Sequence, residues 1–313
     1  MSVRHKGFVT VVVILVLCIT STQVAAATVH HDLEVRIQPD QNSLQVVDRV
    51  TFEEAVTADE NGAYRFVLHG GLEPRVATPG WTLQLQDGPA EAGFLGINAT
   101  TDTVSENVPL EAYLLIPEGA PAGTVELVYG GVIHHQLATQ GEEYQRSFSE
   151  TPGIIDDRGV FLAGASFWVP TFGDGLMTFD LAVGGLTPPW DVVSQGRRTH
   201  HDVDSESLRS TSWSLAHPTE EIYLVAGPWH EYSREAGDVE VFAFLRDDDP
   251  ALAQRYLEAT ARYLDLYQGM LPPYPYASFA LVENFWETGY GMPGFTLLGP
   301  QVIRFPWILT SSY

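Results

Sequence analysis

His31-Asp32-Leu33-Glu34-Val35-Arg36-Ile37 sets an apolar side chain at every second position from Leu33 on. A strand turns successive side chains to opposite faces, so this spacing describes a ribbon with one wet face and one buried face. The alternation recurs in Leu44 to Phe52, Thr124 to Tyr129, Thr178 to Val183, Ser210 to Leu215 and Glu221 to Val225, each bounded by Gly, Pro, Asn or Asp. Residues 28–240 therefore read as an antiparallel β-sandwich without a repeat of fixed period. Asn98-Ala99-Thr100 has the form of a glycosylation sequon and marks a surface loop.

The texture changes after Val239 to Leu245. Asp247-Asp248-Asp249-Pro250 supplies an N-cap and a first-turn proline, and Leu252, Tyr256, Leu257, Thr260, Tyr263, Leu264 and Tyr267 follow at helical spacing, with Gly269 as the C-cap. Pro272-Pro273 breaks the chain, Phe279 to Val282 reads as a short buried strand, and Gly289 to Gly299 is punctuated by glycine. One long helix and two short strands are less than an α+β domain of this kind needs, so residues 241–313 read as the incomplete start of a second domain. Phe305, Trp307, Ile308, Leu309 and Tyr313 crowd the end of the sequence with nothing after them to pack against.

At the other end, Arg4 and Lys6 precede the apolar run Phe8 to Ile19, which gives way to polar residues and then Ala25-Ala26-Ala27. This is the pattern of a secretory signal peptide over residues 1–27, cleaved near Ala27, and it implies a periplasmic or secreted protein. The run is shorter than the roughly 20 residues of a membrane span, so membrane contact is expected only if the segment stays uncleaved. Cys18 is the one cysteine and leaves with the signal, so the exported chain has no disulfide and relies on its core. Arg4 and Lys6 are two of 16 basic residues, so 14 remain against 40 acidic ones, a net charge of −26 with no lysine. Such a surface repels a phosphate backbone, which excludes nucleic acid as a partner.

Most constellations of chemical residues dissolve on inspection. His30-His31, His134-His135 and His200-His201 are adjacent pairs, which on a strand face opposite ways and so do not close on one ion. His230-Glu231-Tyr232-Ser233-Arg234 begins like the zinc helix H-E-x-x-H, but Arg234 stands where the second histidine belongs. Asp156-Asp157 and Asp247 to Asp249 lack the spacing of a calcium loop and read as turn and cap residues. Thr151 to Gly164 lacks a phosphate cradle, and no serine occupies a nucleophile elbow. Trp168, Trp190, Trp213 and Trp229 read as core.

Glu283-Asn284-Phe285-Trp286-Glu287-Thr288-Gly289-Tyr290-Gly291-Met292-Pro293-Gly294-Phe295-Thr296-Leu297-Leu298-Gly299 differs in kind. Glycines at 289, 291 and 294 leave backbone N–H and C=O groups accessible, so a peptide can add there as an extra strand, with the carboxylates of Glu283 and Glu287 nearby. A tight hairpin without a ligand accounts for the same residues.

Tyr274 to Gly299 resembles the start of the catalytic domain of the gluzincin aminopeptidases, the membrane alanyl aminopeptidase-like zinc peptidases. The resemblance extends upstream through Thr178 to Gly196, Pro218 to Gly227 and Val239 to Gly269, and is weak over residues 28–150. It implies a mainly β architecture: a saddle-like N-terminal sandwich, then the start of a thermolysin-like α+β catalytic domain that hydrolyses peptides with one zinc ion. In that family the H-E-x-x-H helix follows the segment matched by Gly289 to Gly299, with a third glutamate ligand and a catalytic tyrosine after it. This sequence reaches Tyr313 without any of them, so zinc is expected in a longer parent and neither metal binding nor hydrolysis in this chain.

The family's G-A-M-E-N-P-G motif carries a glutamate for the substrate's α-amine. Aligning Pro293-Gly294 on the final P-G places Gly291 at that glutamate and Met292 at the asparagine, which leaves Glu287 as the substitute charge. Ala138-Thr139-Gln140 resembles the N-terminal-domain loop that reaches the substrate, which makes Gln140 a candidate contact. The implied substrate-binding set is Gly289, Tyr290, Gly291, Met292, Pro293, Gly294, Glu287 and Gln140. The alternatives are an exported β-sandwich binding module and a degenerate peptidase scaffold used for interaction.

Overall fold

The structure, a computed structural model, describes residues 28–52, 58–60, 62–87, 108–119, 123–139, 149–173 and 175–305. The signal segment, the sequon, Gln140 and the apolar residues 306–313 lie outside the described residues. Among those described, no helix is long and apolar enough to cross a membrane.

In chain order the first strands are β1 (Thr28–Gln38), β2 (Ser43–Phe52), β3 (Tyr64–His69), β4 (Arg75–Val76), β5 (Trp81–Leu85), β6 (Leu110–Pro117) and β7 (Thr124–Val132). Short strands β8 (Ala138–Thr139), β9 (Ser149–Glu150), β10 (Gly153–Asp156) and β11 (Gly159–Leu162) lead to β12 (Leu176–Leu186), β13 (Trp190–Val193), β14 (Arg197–Val203), β15 (Arg209–Thr219) and β16 (Leu224–Pro228). The chain then runs through β17 (His230–Ala236), β18 (Val239–Leu245), α1 (Pro250–Gln268), β19 (Ser278–Glu283), β20 (Gly289–Met292), β21 (Phe295–Leu298) and α2 (Pro300–Arg304).

The sandwich is built from a seven-stranded sheet, β14-β15-β12-β1-β2-β7-β4, a four-stranded sheet, β10-β11-β16-β13, and a three-stranded sheet, β3-β6-β5. Alternation along β1 and β2 sends Leu33, Val35, Ile37, Leu44, Val46 and Val50 inward and leaves Glu34, Arg36 and Gln45 outside, as the sequence pattern requires. One pairing departs from the expected antiparallel plan. β1 and β12 run parallel, from Thr28 beside Leu176 to Arg36 beside Gly184, an arrangement that the long connection between them allows and a tight hairpin would not.

A five-stranded sheet, β17-β18-β19-β21-β20, carries the second half. It takes in His230–Ala236, so this sheet begins before residue 241. β18 and β19 are parallel, joined by α1 as a crossover helix. Asp249 caps α1, its Oδ1 accepting the Leu252 N–H at 2.9 Å, with Pro250 in the first turn. Gly269 ends the helix in the right-handed region, φ −78°, and not in the left-handed conformation typical of a C-cap glycine.

β18 explains why the two halves hold together. Val239, Val241, Ala243 and Leu245 face α1 and pack with Leu252, Ala253, Tyr256, Leu257 and Ile303. Phe242 and Phe244 face the other way and join the sandwich core with Ala280, Val282, Phe295 and Leu297. A strand buried on both faces loses its polar alternation, which is why Val241 to Leu245 reads as an unbroken apolar run. One tryptophan fastens the contact, Trp229 Nε1 donating to the Glu283 carbonyl at 2.8 Å, while Trp168 and Trp213 tie the sandwich itself by donating to the carbonyls of Ile222 and Val192. Trp190 is half-buried against the same core.

Candidate peptide-binding edge

β20 and β21 form a hairpin in which Met292 faces Phe295, Gly291 faces Thr296, Tyr290 faces Leu297 and Gly289 faces Leu298. Pro293-Gly294 is the turn, with Gly294 at φ 83° where a side chain would be strained. In an antiparallel pair, residues that exchange ladder bonds alternate with residues whose N–H and C=O point away from the partner. The Gly299 N–H donates to the Thr288 carbonyl at 2.8 Å, which makes 288, 290 and 292 the bonded set. The N–H and C=O of Gly289 and Gly291 therefore face the outer edge of the sheet.

That edge is closed below and free above. The Ser149 N–H of β9 donates to the Glu287 carbonyl at 3.2 Å, so the sandwich pairs with the residue just before β20. At Gly289 and Gly291, among the described residues, no backbone bond from another segment arrives, and a Cβ at either position meets nothing within 4 Å. The two side chains of β20 that do exist turn to the sandwich. Tyr290 stacks on Phe161 of β11 at 5.9 Å between centroids, and Met292 packs on the same core. Trp286 meets Phe161 edge-on at 5.6 Å and donates its indole N–H to the Ser149 carbonyl at 2.8 Å. Phe285 lies so close over Gly159 that a Cβ there would sit 2.3 Å from its ring. Ser149, Phe161 and Gly159 carry no local signature of this role, since their partners lie more than 120 residues on.

Glu283 and Glu287, the two carboxylates that the sequence sets near the glycine segment, have separate duties. Glu283 is buried at the end of β19, where it accepts the Arg246 N–H at 2.9 Å and pairs with the Arg304 guanidinium. Glu287 is half-buried, and its Oε1 accepts the Gln301 N–H at 2.9 Å in the first turn of α2. It stays the carboxylate of this pair nearer to the glycine edge in sequence, with Oε1 held by that bond.

Asp191, His201 and Glu231 bring three potential ligand atoms within 4.8 Å of one another. Two guanidiniums already occupy the place of a cation. Arg198 binds Glu231 through both nitrogens, at 2.8 and 2.7 Å, and Arg209 binds Asp191 at 2.8 Å. Burial pushes the Asp191 pKa up, but His201, the Val192 N–H and Arg209 outweigh it and hold the pKa below the usual carboxylate range. The cluster is an ionic clasp between β13, β14 and β17, and these residues do not fit a resident zinc ion. The acidic residues elsewhere are turn and cap groups: Asp156 accepts from the Arg158 backbone and guanidinium, and Asp247 pairs with Arg304.

No family model matches the chain, and no curated protein matches it. Solved structures do. The M1 zinc metallopeptidase of Deinococcus radiodurans, a mutant bound to a Tyr-Ser-Ala substrate, is 16% identical with a TM-score of 0.58 over 90% of this chain and 62% of its own. The same enzyme in another crystal structure gives a TM-score of 0.56 at 15% identity, over 87% of this chain and 60% of its own. Yeast LTA4 hydrolase gives 0.54 at 14% identity, over 89% of this chain and 41% of its own. The chain thus spans about three-fifths of the length of the Deinococcus enzyme, and over that span it has the fold of the gluzincin aminopeptidases, the M1 zinc metallopeptidases.

Proposed function

We propose that this chain is the N-terminal portion of an exported zinc metallopeptidase of aminopeptidase type, and that its own part is to hold the main chain of a peptide along the outer edge of β20. The observation that supports this best is the pair Gly289 and Gly291, whose N–H and C=O groups face away from β21 with open space above them. Tyr290, Met292, Pro293 and Gly294 shape the strand and its turn, Gln140 is a further contact, and Glu287 supplies the negative charge for a free α-amine. Zinc and the hydrolytic groups are assigned to the parent's remaining part, and no hydrolytic step falls to the residues of this chain. Export follows from the leader before Ala27.

The test is an NMR titration of the 313-residue chain with Tyr-Ser-Ala. Binding shifts the amides of Gly289 and Gly291. Gly291→Ala, which meets no neighbour, keeps the fold. Gly291→Pro removes the outward N–H, so affinity falls by about tenfold or more, the worth of one or two main-chain bonds. Glu287→Gln weakens the free peptide and spares its N-acetylated form. Unchanged affinity in Gly291→Pro, or shifts confined to another surface, refutes the edge as the binding site.

A further inference from the structure

His69 ends β3, and its Nε2 lies 2.9 Å from Nε2 of His135, with the rings at 72°. Two converging imidazoles invite a metal, but the Gly71 N–H donates to Nδ1 of His69 at 2.9 Å. Nδ1 is therefore bare, and neutral His69 carries its proton on Nε2, where a metal ligand needs a lone pair. The geometry assigns a chain of donors instead: Gly71 N–H to His69 Nδ1, then His69 Nε2–H to His135 Nε2. Every acceptor in it is used, so one added proton has nowhere to go. On His69 Nδ1 it opposes the Gly71 N–H, and on His135 Nε2 it opposes the His69 N–H.

His135 is tied to the substrate edge by a short path. Its N–H donates to the Gly153 carbonyl at 3.1 Å, and its carbonyl accepts the Thr151 hydroxyl at 3.1 Å. Three residues later β8 pairs with β9, Ala138 beside Glu150 and Thr139 beside Ser149. Ser149 in turn holds the Glu287 carbonyl and the Trp286 indole, immediately before Gly289.

We propose that the His69–His135 pair is an acid-operated latch that keeps β8 and β9 seated against Trp286 and Glu287, and so regulates access of peptide to the β20 edge. The consequence for peptide rests on the function proposed above, whereas the latch itself does not. Burial pushes the His69 pKa down to about 4, helped by His135, and burial with the neighbouring His134 pushes His135 down. Charged groups on the surrounding elements are Glu73 after β3, Glu111 on β6, Glu150 on β9 and Asp156 on β10, the last bound by Arg158. Among the described residues Glu73, Glu111 and Asp156 form no ion pair with His69, His134 or His135, and Asp156 is already held by Arg158. His134 spends its Nδ1 on the Ile155 carbonyl.

The test is hydrogen exchange and histidine NMR on the full chain from pH 7.5 down to about 3, a range that carries His69 through its protonation, with exchange written as protection factors. As the pair takes up a proton, protection of the Ser149 amide and the Trp286 indole falls at least tenfold while the core amides of β1 and β2 keep theirs. His135→Gln presents an amide oxygen to the His69 N–H without titrating, and its loss of protection shifts to lower pH. Unchanged protection at Ser149 through the protonation of His69, or an identical profile in His135→Gln, overturns the latch. Tyr-Ser-Ala binding is followed over the same range. A wild-type affinity that falls in step with the Ser149 protection supports regulation of the edge, and a pH-independent affinity overturns it. Shifts confined to another surface, with the exchange profile as expected, refute the edge and leave the latch standing.

Discussion

The Glu283 carboxylate is 2% exposed and survives there because Arg304 and the Arg246 N–H replace the water it lost. A buried charge deprived of its partner is costly, so Arg304→Met should destabilise the chain by about 3 kcal/mol, read as a lower urea midpoint with the same slope. Adding Glu283→Gln removes the unpaired charge and should recover most of the loss. No recovery in the double variant means that Arg304 acts through its other contacts, the Pro300 carbonyl and Asp247. The sequence shows Glu283 and Glu287 as two carboxylates beside a glycine hairpin. Their separate fates depend on Arg246 and Arg304 and on the backbone of Gln301, and nothing in the local text distinguishes a sequestered carboxylate from an available one.

At the scale of elements, legibility follows from how many faces a strand hides. β1, β2, β7, β12 and β15 each bury one face, and their alternation can be read directly. β10, β11 and β18 are buried nearly throughout, and a short apolar run does not say which sheet it joins or in which direction. β17 has the polar texture of a sandwich strand but pairs with β18 from Ala236 beside Val239 to His230 beside Leu245, a partnership set by the two-residue turn between them. The helix is the opposite case, since Asp249 and Pro250 announce its start in the sequence. Asp249→Ala removes the bond to the Leu252 N–H and should cost about 1 kcal/mol, measured as a fall in thermal midpoint. The deficit should vanish in Asp249→Ser, which restores an acceptor at the same place, and a deficit that persists assigns the loss to charge instead.

For the whole molecule, one core runs from Leu33 through Trp213 and Phe242 to Leu297, so a local loss in the sandwich is felt by the sheet that carries β20. This gives the acid response a definite sign. His69 is neutral in the folded chain down to about pH 4, whereas an unfolded histidine takes its proton near 6.5. The unfolded state therefore binds more protons in that window, and stability falls as pH drops from 6.5 toward 4, by at most about 3 kcal/mol for this one group. Asp156 behaves differently. The Arg158 guanidinium holds its pKa at about 2, so its contribution is present above 3.8 and is lost only below that. The net charge of −24 works in the opposite direction, because protonating surface carboxylates relieves repulsion, and about 0.5 M salt screens that effect out. In such salt, urea unfolding should show two descending limbs, one between pH 6.5 and 4 and one below 3.8. Replacing both His69 and His135 by glutamine should flatten the first limb and leave the second, whereas a first limb of equal depth in that variant assigns it to other histidines.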